Sequence, residues 1–280
     1  MQAGICEARF ADTLKTPDVK TLPYAALLCS LLYALPFLPG TERPDSRSAY
    51  QKNIAPYSRS FFRIGDRLVT LERYGAQSSP FVLVSLHNDD ALADRLAREA
   101  AGRGGAYLRL VNEGSRLVEA TLLEKKISFD PAYIYTSWGR KLHLKERGCD
   151  DRDVDNCVQG FATFVLDDIG RTKTMVTINT GGGTTIAQYE EGGAGYKEVK
   201  QVYRNKDLSP ASYFVTTDDV LFEQLSAAGR TTVLLHPRKA VDDGTLESYC
   251  IKARQRYVHL QLGSADDGKE WLNKMEAALR

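Results

Sequence analysis

Phe81-Val82-Leu83-Val84-Ser85-Leu86-His87-Asn88-Asp89-Asp90 is an apolar run of strand length that ends in a histidine, with an acid three residues beyond it. Apolar spacing then changes: Leu92, Leu96 and Ala100 recur at helical intervals until Gly102 stops them. A buried strand followed at once by a helix is the unit from which α/β proteins are built. It delivers His87 to the carboxyl end of a strand and Asp90 to the first turn of a helix. An imidazole and a carboxylate placed in this way are two ligands of the type that zinc takes.

Working outward, Arg67 to Tyr74, Ala106 to Val111, Ser115 to Leu122, Thr174 to Ile178, Thr231 to Leu235 and Tyr257 to Leu262 read as strands. The turn Asn112-Glu113-Gly114 joins the second of these to the third. Helical spacing appears over Asp155 to Ile169, Asp218 to Ala228, Leu246 to Arg254 and Asp267 to Leu279. Strands alternating with helices predict an α/β fold with a mixed, mostly parallel central sheet and helices on both faces. Thr41 to Arg59 is polar, holds two prolines and lacks apolar period, so residues 41–60 read as a linker and the domain as 61–280.

Residues 1–40 contain the uncharged run Leu22 to Leu38, preceded by Lys15 and Lys20. It reads as a signal peptide or short anchor, which predicts a periplasmic or secreted protein touching a membrane only through this segment. A packed apolar helix is the competing reading. The five cysteines form no Cys-x-x-Cys pair, which excludes a cysteine zinc knuckle. Cys149 and Cys157 bracket a short acidic loop, and both a disulfide and two free thiols are open to them. A net charge of +1 over 280 residues argues against nucleic acid as a partner.

The order of Ser85-Leu86-His87-Asn88-Asp89-Asp90, Gly104-Gly105, Phe129 to Gly139, Thr174 to Thr180, Tyr213 to Leu225 and the segment from Asp242 to Leu262 resembles the zinc carboxypeptidase-like superfamily. Within it the resemblance is to the succinylglutamate desuccinylase and aspartoacylase side, in an uncharacterised bacterial branch. The resemblance implies a zinc site whose ligands fall at His87, Asp90 and Asn179. It puts substrate contacts at Asp130, Ala132 and Tyr133, and the general base at Gln261.

Four of these positions depart from the family pattern. Asp90 stands for a glutamate, and Ala132-Tyr133 replaces the Asn-Arg pair that grips a substrate carboxylate. Asn179 stands for a histidine, and its amide is a poor zinc ligand. Gln261 stands for a glutamate, and an amide accepts no proton at neutral pH. Zinc would therefore be held weakly or not at all. The expectation is a pseudoenzyme that binds a peptide, a cell-wall fragment or a protein partner in the former active-site cleft. The alternative is a working metallohydrolase, a carboxypeptidase or N-acyl amino acid amidase. There His236 or His259 supplies the missing nitrogen and Asp130 or Asp218 acts as base. A generic α/β binding domain is the third reading.

The remaining signals favour structural roles. Gly181-Gly182-Gly183 is not followed by Lys-Ser/Thr, so it reads as a loop and not a phosphate cradle. Asp151, Asp153 and Asp155 open like a calcium loop but lack its glycine and its final acid, so they read as a solvated loop that caps the next helix. His143, set among charges, reads as a surface residue, and Ser85 and Cys250 as core residues.

Overall fold

The computed structural model describes residues 8–10 and 55–280, apart from 88, 113–114, 172, 182–183 and 264. The apolar run Leu22 to Leu38 lies outside them. Among the described residues no helix is long and apolar enough to cross a membrane.

The strands are β1 (Ala8–Phe10), β2 (Ser58–Ile64), β3 (Arg67–Gly75), β4 (Phe81–Ser85), β5 (Ala106–Val111), β6 (Val118–Leu122), β7 (Lys125–Phe129), β8 (Thr174–Thr180), β9 (Val199–Tyr203), β10 (Tyr213–Thr216), β11 (Thr232–Leu235) and β12 (Tyr257–Leu262). The helices are α1 (Ala91–Gly102), α2 (Ser137–Glu146), α3 (Arg152–Ile169), α4 (Asp219–Ala227), α5 (Leu246–Ala253) and α6 (Ala265–Leu279). One ten-stranded sheet runs β1-β2-β3-β5-β4-β8-β12-β10-β11-β9. Its centre, β5-β4-β8-β12, is parallel, and antiparallel strands extend it on both sides. The α/β architecture with a mixed central sheet, read from the alternation of elements, is the one observed, and the parallel pairing is concentrated at its centre.

Side-chain alternation along β4 explains the layers. Val82 and Val84 enter one buried cluster with α3 and with Leu144, Leu246 and Cys250, whereas Phe81 and Leu83 enter another with α1, α4 and α6. Phe62, Phe161 and Phe164 pack with ring centroids 5.3 to 5.5 Å apart in the first cluster. Trp271 packs on Phe214 at 5.0 Å in the second. Each such buried apolar side chain contributes roughly 1.5–3 kcal/mol.

Helix starts follow capping chemistry. Asp90, Thr136, Asp151, Asp218 and Thr245 each accept a backbone N–H in the first turn of the helix that follows. The acids at 151, 153 and 155 therefore cap α3 and complement its dipole, as expected of them. Cys149 carries a free thiol, so no bridge joins it to Cys157.

Several features depart from the sequence reading: β2, β7, β9 and β10 were not read as strands, and β2 begins at Ser58, inside the stretch read as a linker. β6 does not join the main sheet but pairs with β7 in a separate two-stranded ribbon. Helix α2 gave no periodic signal, because Trp138 and Leu142 face solvent and Gly139 sits in its first turn. Tertiary contacts hold it instead: Arg140 Nε donates to Asp155 on α3 at 2.7 Å, and Tyr135 N donates to Gly244 O at 2.7 Å. Gly139 and Gly244 meet backbone to backbone. A Cβ on Gly139 would lie 2.0 Å from Gly244 N, and Gly244 itself has a φ of 87°. Gly139→Ala should accordingly lower unfolding stability by at least about 2 kcal/mol. Urea titration checks this, with Gly148→Ala as the positive-φ comparison that meets no neighbour.

Candidate functional site

The chain leaves β4 toward β5 through α1 and reaches β8, on the other side of β4, only after α3. Such a reversal opens a crevice at the carboxyl ends of the strands, where α/β proteins place their sites. A cleft of about 350 Å³ lies there, with Ser85, His87 and Asp90 after β4, Thr177 and Asn179 on β8, and His259 on β12 among its lining residues.

The face of the sheet that carries Met175 and Tyr257 in its apolar cluster turns polar two residues further along each strand. In the parallel register of β8 and β12, Thr177 stands beside His259 and Asn179 beside Gln261. These neighbours are joined. Thr177 Oγ1 lies 2.9 Å from His259 Nδ1 and 2.7 Å from the Tyr257 hydroxyl. Asn179 Nδ2 donates to Gln261 Oε1 at 3.1 Å, and Gln261 Nε2 donates to Gly181 O at 3.3 Å. Burial pushes the His259 imidazole down to about 4, which leaves it neutral at physiological pH.

Asp90 is engaged on both oxygens. Oδ1 accepts from Ala93 N at 2.8 Å and from the Thr180 hydroxyl, and Oδ2 accepts from Thr180 N at 2.7 Å. The carboxylate thus caps α1 and clasps it to the end of β8.

His87 and Asp130 form the other half of the site. His87 Nε2 donates to Asp130 Oδ1 at 2.6 Å. The second oxygen accepts Arg116 Nε at 3.1 Å, and Ala132 N donates to Oδ1 at 2.9 Å. Burial works to raise the Asp130 carboxyl, but the donors His87, Ala132 and Arg116 together outweigh it and hold the group at about 2. Among the described residues, His87 Nδ1 has no hydrogen-bond partner.

His143 is not a surface residue as its charged neighbours suggested. Its Nε2 accepts from Asp130 N at 2.9 Å and its ring stacks on Tyr133 at 5.6 Å, so it buttresses the acid from behind. Ser85 is half-buried at the cleft, with its hydroxyl donated to His87 O, whereas Cys250 is core as expected. His236 lies apart from the cleft lining, and its Nδ1 accepts from Arg238 N.

The structure therefore gathers His87, Asp90, Asn179 and Ala132 around one cleft, with Asp130 behind His87 and Gln261 behind Asn179. Tyr133 is not among the lining residues. Sequence reasoning missed Arg116, which sits after a loop and carries no motif, yet lines the cleft. Outside the lining, Glu247 in the first turn of α5 has its carboxyl pushed up to about 8 by burial and by the charges of Asp243 and Glu198.

These donors do not fit zinc. Asp90 and the two amides are consumed within the protein, and His87 is left as the one good nitrogen. Among the described residues no group of three or more His, Cys, Asp or Glu side chains could hold a metal ion.

No family model matches the chain, and no curated protein matches it. Among solved structures, N-formylglutamate amidohydrolase from Ralstonia eutropha JMP134 is 10% identical, with a TM-score of 0.35, covering 75% of this chain and 95% of its own. Leucine aminopeptidase from Caenorhabditis elegans is also 10% identical with a TM-score of 0.35, covering 76% of this chain and 52% of its own. These are weak neighbours with hydrolase names, and membership of the carboxypeptidase-like superfamily is not confirmed by them. The chemistry rests on the site itself.

Two pH effects follow. The Asp130 carboxylate is favoured in the folded state, so its contribution is full above pH 4 and is lost as pH falls toward 2, at about 2 kcal/mol. In urea titrations Asp130→Asn should lack this acid-dependent component, and the gap between it and the parent should narrow from pH 5 to pH 3. Glu247 behaves oppositely. Its folded-state carboxyl holds a proton that the unfolded chain releases, so stability should decline between pH 5 and pH 8. Glu247→Gln should flatten that decline in thermal melts.

Proposed function

We propose that this chain is a pseudoenzyme whose cleft binds a peptide, a cell-wall fragment or a protein partner without zinc chemistry. The supporting observation is the commitment of Asp90. A carboxylate that caps a helix and grips Thr180 through both oxygens gives up charge-assisted hydrogen bonds if it turns to a metal. The Asn179–Gln261 amide pair supports the same reading, because neither group accepts a proton at neutral pH and the two are joined by a hydrogen bond. The cleft retains a half-buried imidazole, a guanidinium and several hydroxyls, a mixture suited to hydrogen-bonded recognition.

One observation favours the second reading, a working metallohydrolase with altered ligands. An imidazole held by a carboxylate through one nitrogen, as Asp130 holds His87, is the usual support of a metal-binding histidine. His259 would have to supply a second nitrogen through Nε2, with Thr177 holding its Nδ1. His236 would have to move to the cleft.

The N-terminal apolar run supports export, so we place the protein in the periplasm or outside the cell. Fusing residues 1–40 to a reporter that is active only after export tests this placement.

Elemental analysis of the purified protein, together with zinc titration calorimetry and a panel of amide and peptide substrates run with and without added zinc, separates the two readings. We expect far less than one zinc per chain, no saturable zinc binding at micromolar concentration and no turnover. About one zinc per chain with chelator-sensitive hydrolysis would replace this reading with the metallohydrolase.

A further inference from the structure

Strand β9 ends the sheet on the side away from β1. β11 pairs with one side of it, and among the described residues no strand pairs with the other. All five of its residues are exposed or half-exposed. Beside it runs a groove of about 940 Å³, larger than the cleft at the strand ends. Its apolar lining comes from Tyr189, Tyr196, Val199 and Val202, and its charged lining is dominated by Lys197, Lys200, Arg204 and Lys239 over Glu190 and Glu191. Arg204 is held by Glu190 and Lys200 by Asp219. Lys197 and Lys239 are exposed and have no acidic partner among the described residues.

We propose that this groove receives an extended acidic peptide segment of another protein, which adds as a strand to the free edge of β9. Only a polypeptide offers alternating N–H and C=O groups at the spacing of an open strand edge. Tyr196 and Val202 then meet the apolar side chains of the peptide, and Lys197 and Lys239 meet its acids. A second copy of this chain is the poorer occupant, because it would bring the same cations against each other. Nucleic acid is the poorer fit because its backbone lacks the alternating N–H and C=O groups that an open strand edge pairs with.

Fluorescence anisotropy on the full chain tests the proposal with five labelled probes. These are an eight-residue peptide of alternating Glu and Val, its Lys/Val counterpart, the Glu/Val peptide N-methylated at alternate residues in each of its two registers, and an eight-nucleotide oligouridine. The Glu/Val peptide should bind and weaken as salt is raised. Lys197→Glu with Lys239→Glu should weaken it by about tenfold, and the neutral pair Lys197→Gln with Lys239→Gln by about threefold. N-methylation should abolish binding if its carriers face the edge, so both N-methyl registers are used. Equal binding of the Lys/Val peptide, equal binding of both N-methylated forms, tighter binding of oligouridine, or no binding at all would each overturn it. So would self-association of the parent chain that the charge-reversed variant abolishes, since that would give the groove to a second copy. Thermal melts of both variants confirm that these exposed substitutions leave the fold intact.

Discussion

The carboxylate of Asp90 is the constraint from which the site takes its shape. It sits where the chain turns from β4 into α1, and its two oxygens are shared between the first turn of that helix and Thr180 at the end of β8. A helix N-terminus draws a negative charge because its first N–H groups lack partners. Here the chain supplies that charge from its own side chain and uses the remaining acceptor capacity to fix the neighbouring strand. At the crevice where strand order switches, this helix N-terminus thereby holds an internal carboxylate where an α/β protein can leave room for an external anion.

The rest of the cleft follows the same economy. Polar groups that two neighbouring strands turn toward it are joined across the ladder, as with Thr177 and His259 or Asn179 and Gln261. Buried polar groups are tolerated on this condition. The charged part is set apart on the His87 side, where Asp130 gathers an imidazole, a guanidinium and a backbone N–H on one carboxylate. His143 holds the backbone of Asp130 from behind. The result is a neutral, hydrogen-bonded wall facing a charged one, with an imidazole nitrogen left free between them.

That geometry depends on a segment without regular periodicity. Residues 130–139 carry Asp130, Ala132 and the start of α2, and they are pinned by the contact of Gly139 with Gly244 and by Arg140 on Asp155. Close backbone approach and a buried ion pair do the anchoring that an amphipathic stripe does elsewhere in the fold. The loop can therefore present an exposed Trp138 while keeping Asp130 almost wholly buried.

Periodicity was enough to place most of the framework. Strands β3, β4, β5, β8, β11 and β12 and helices α1, α3, α4, α5 and α6 all follow apolar spacing and capping residues, because burial of one face leaves a regular trace in the chain. Strands β2, β7, β9 and β10 and helix α2 were not read from such a trace, and β6 was read as a strand without its pairing to β7, since these elements are ordered by partners they meet only in the fold. The residue types at 87, 90, 179 and 261 were legible as a weakened metal set, but what those groups do was not. Whether a carboxylate is free or spent depends on which backbone N–H lies within 3 Å of it, and that is decided only when β8 is laid beside β4. Arg116 and His143 entered the site for the same reason: charge, burial and pKa are properties of a neighbourhood, and the neighbourhood exists only in the folded chain.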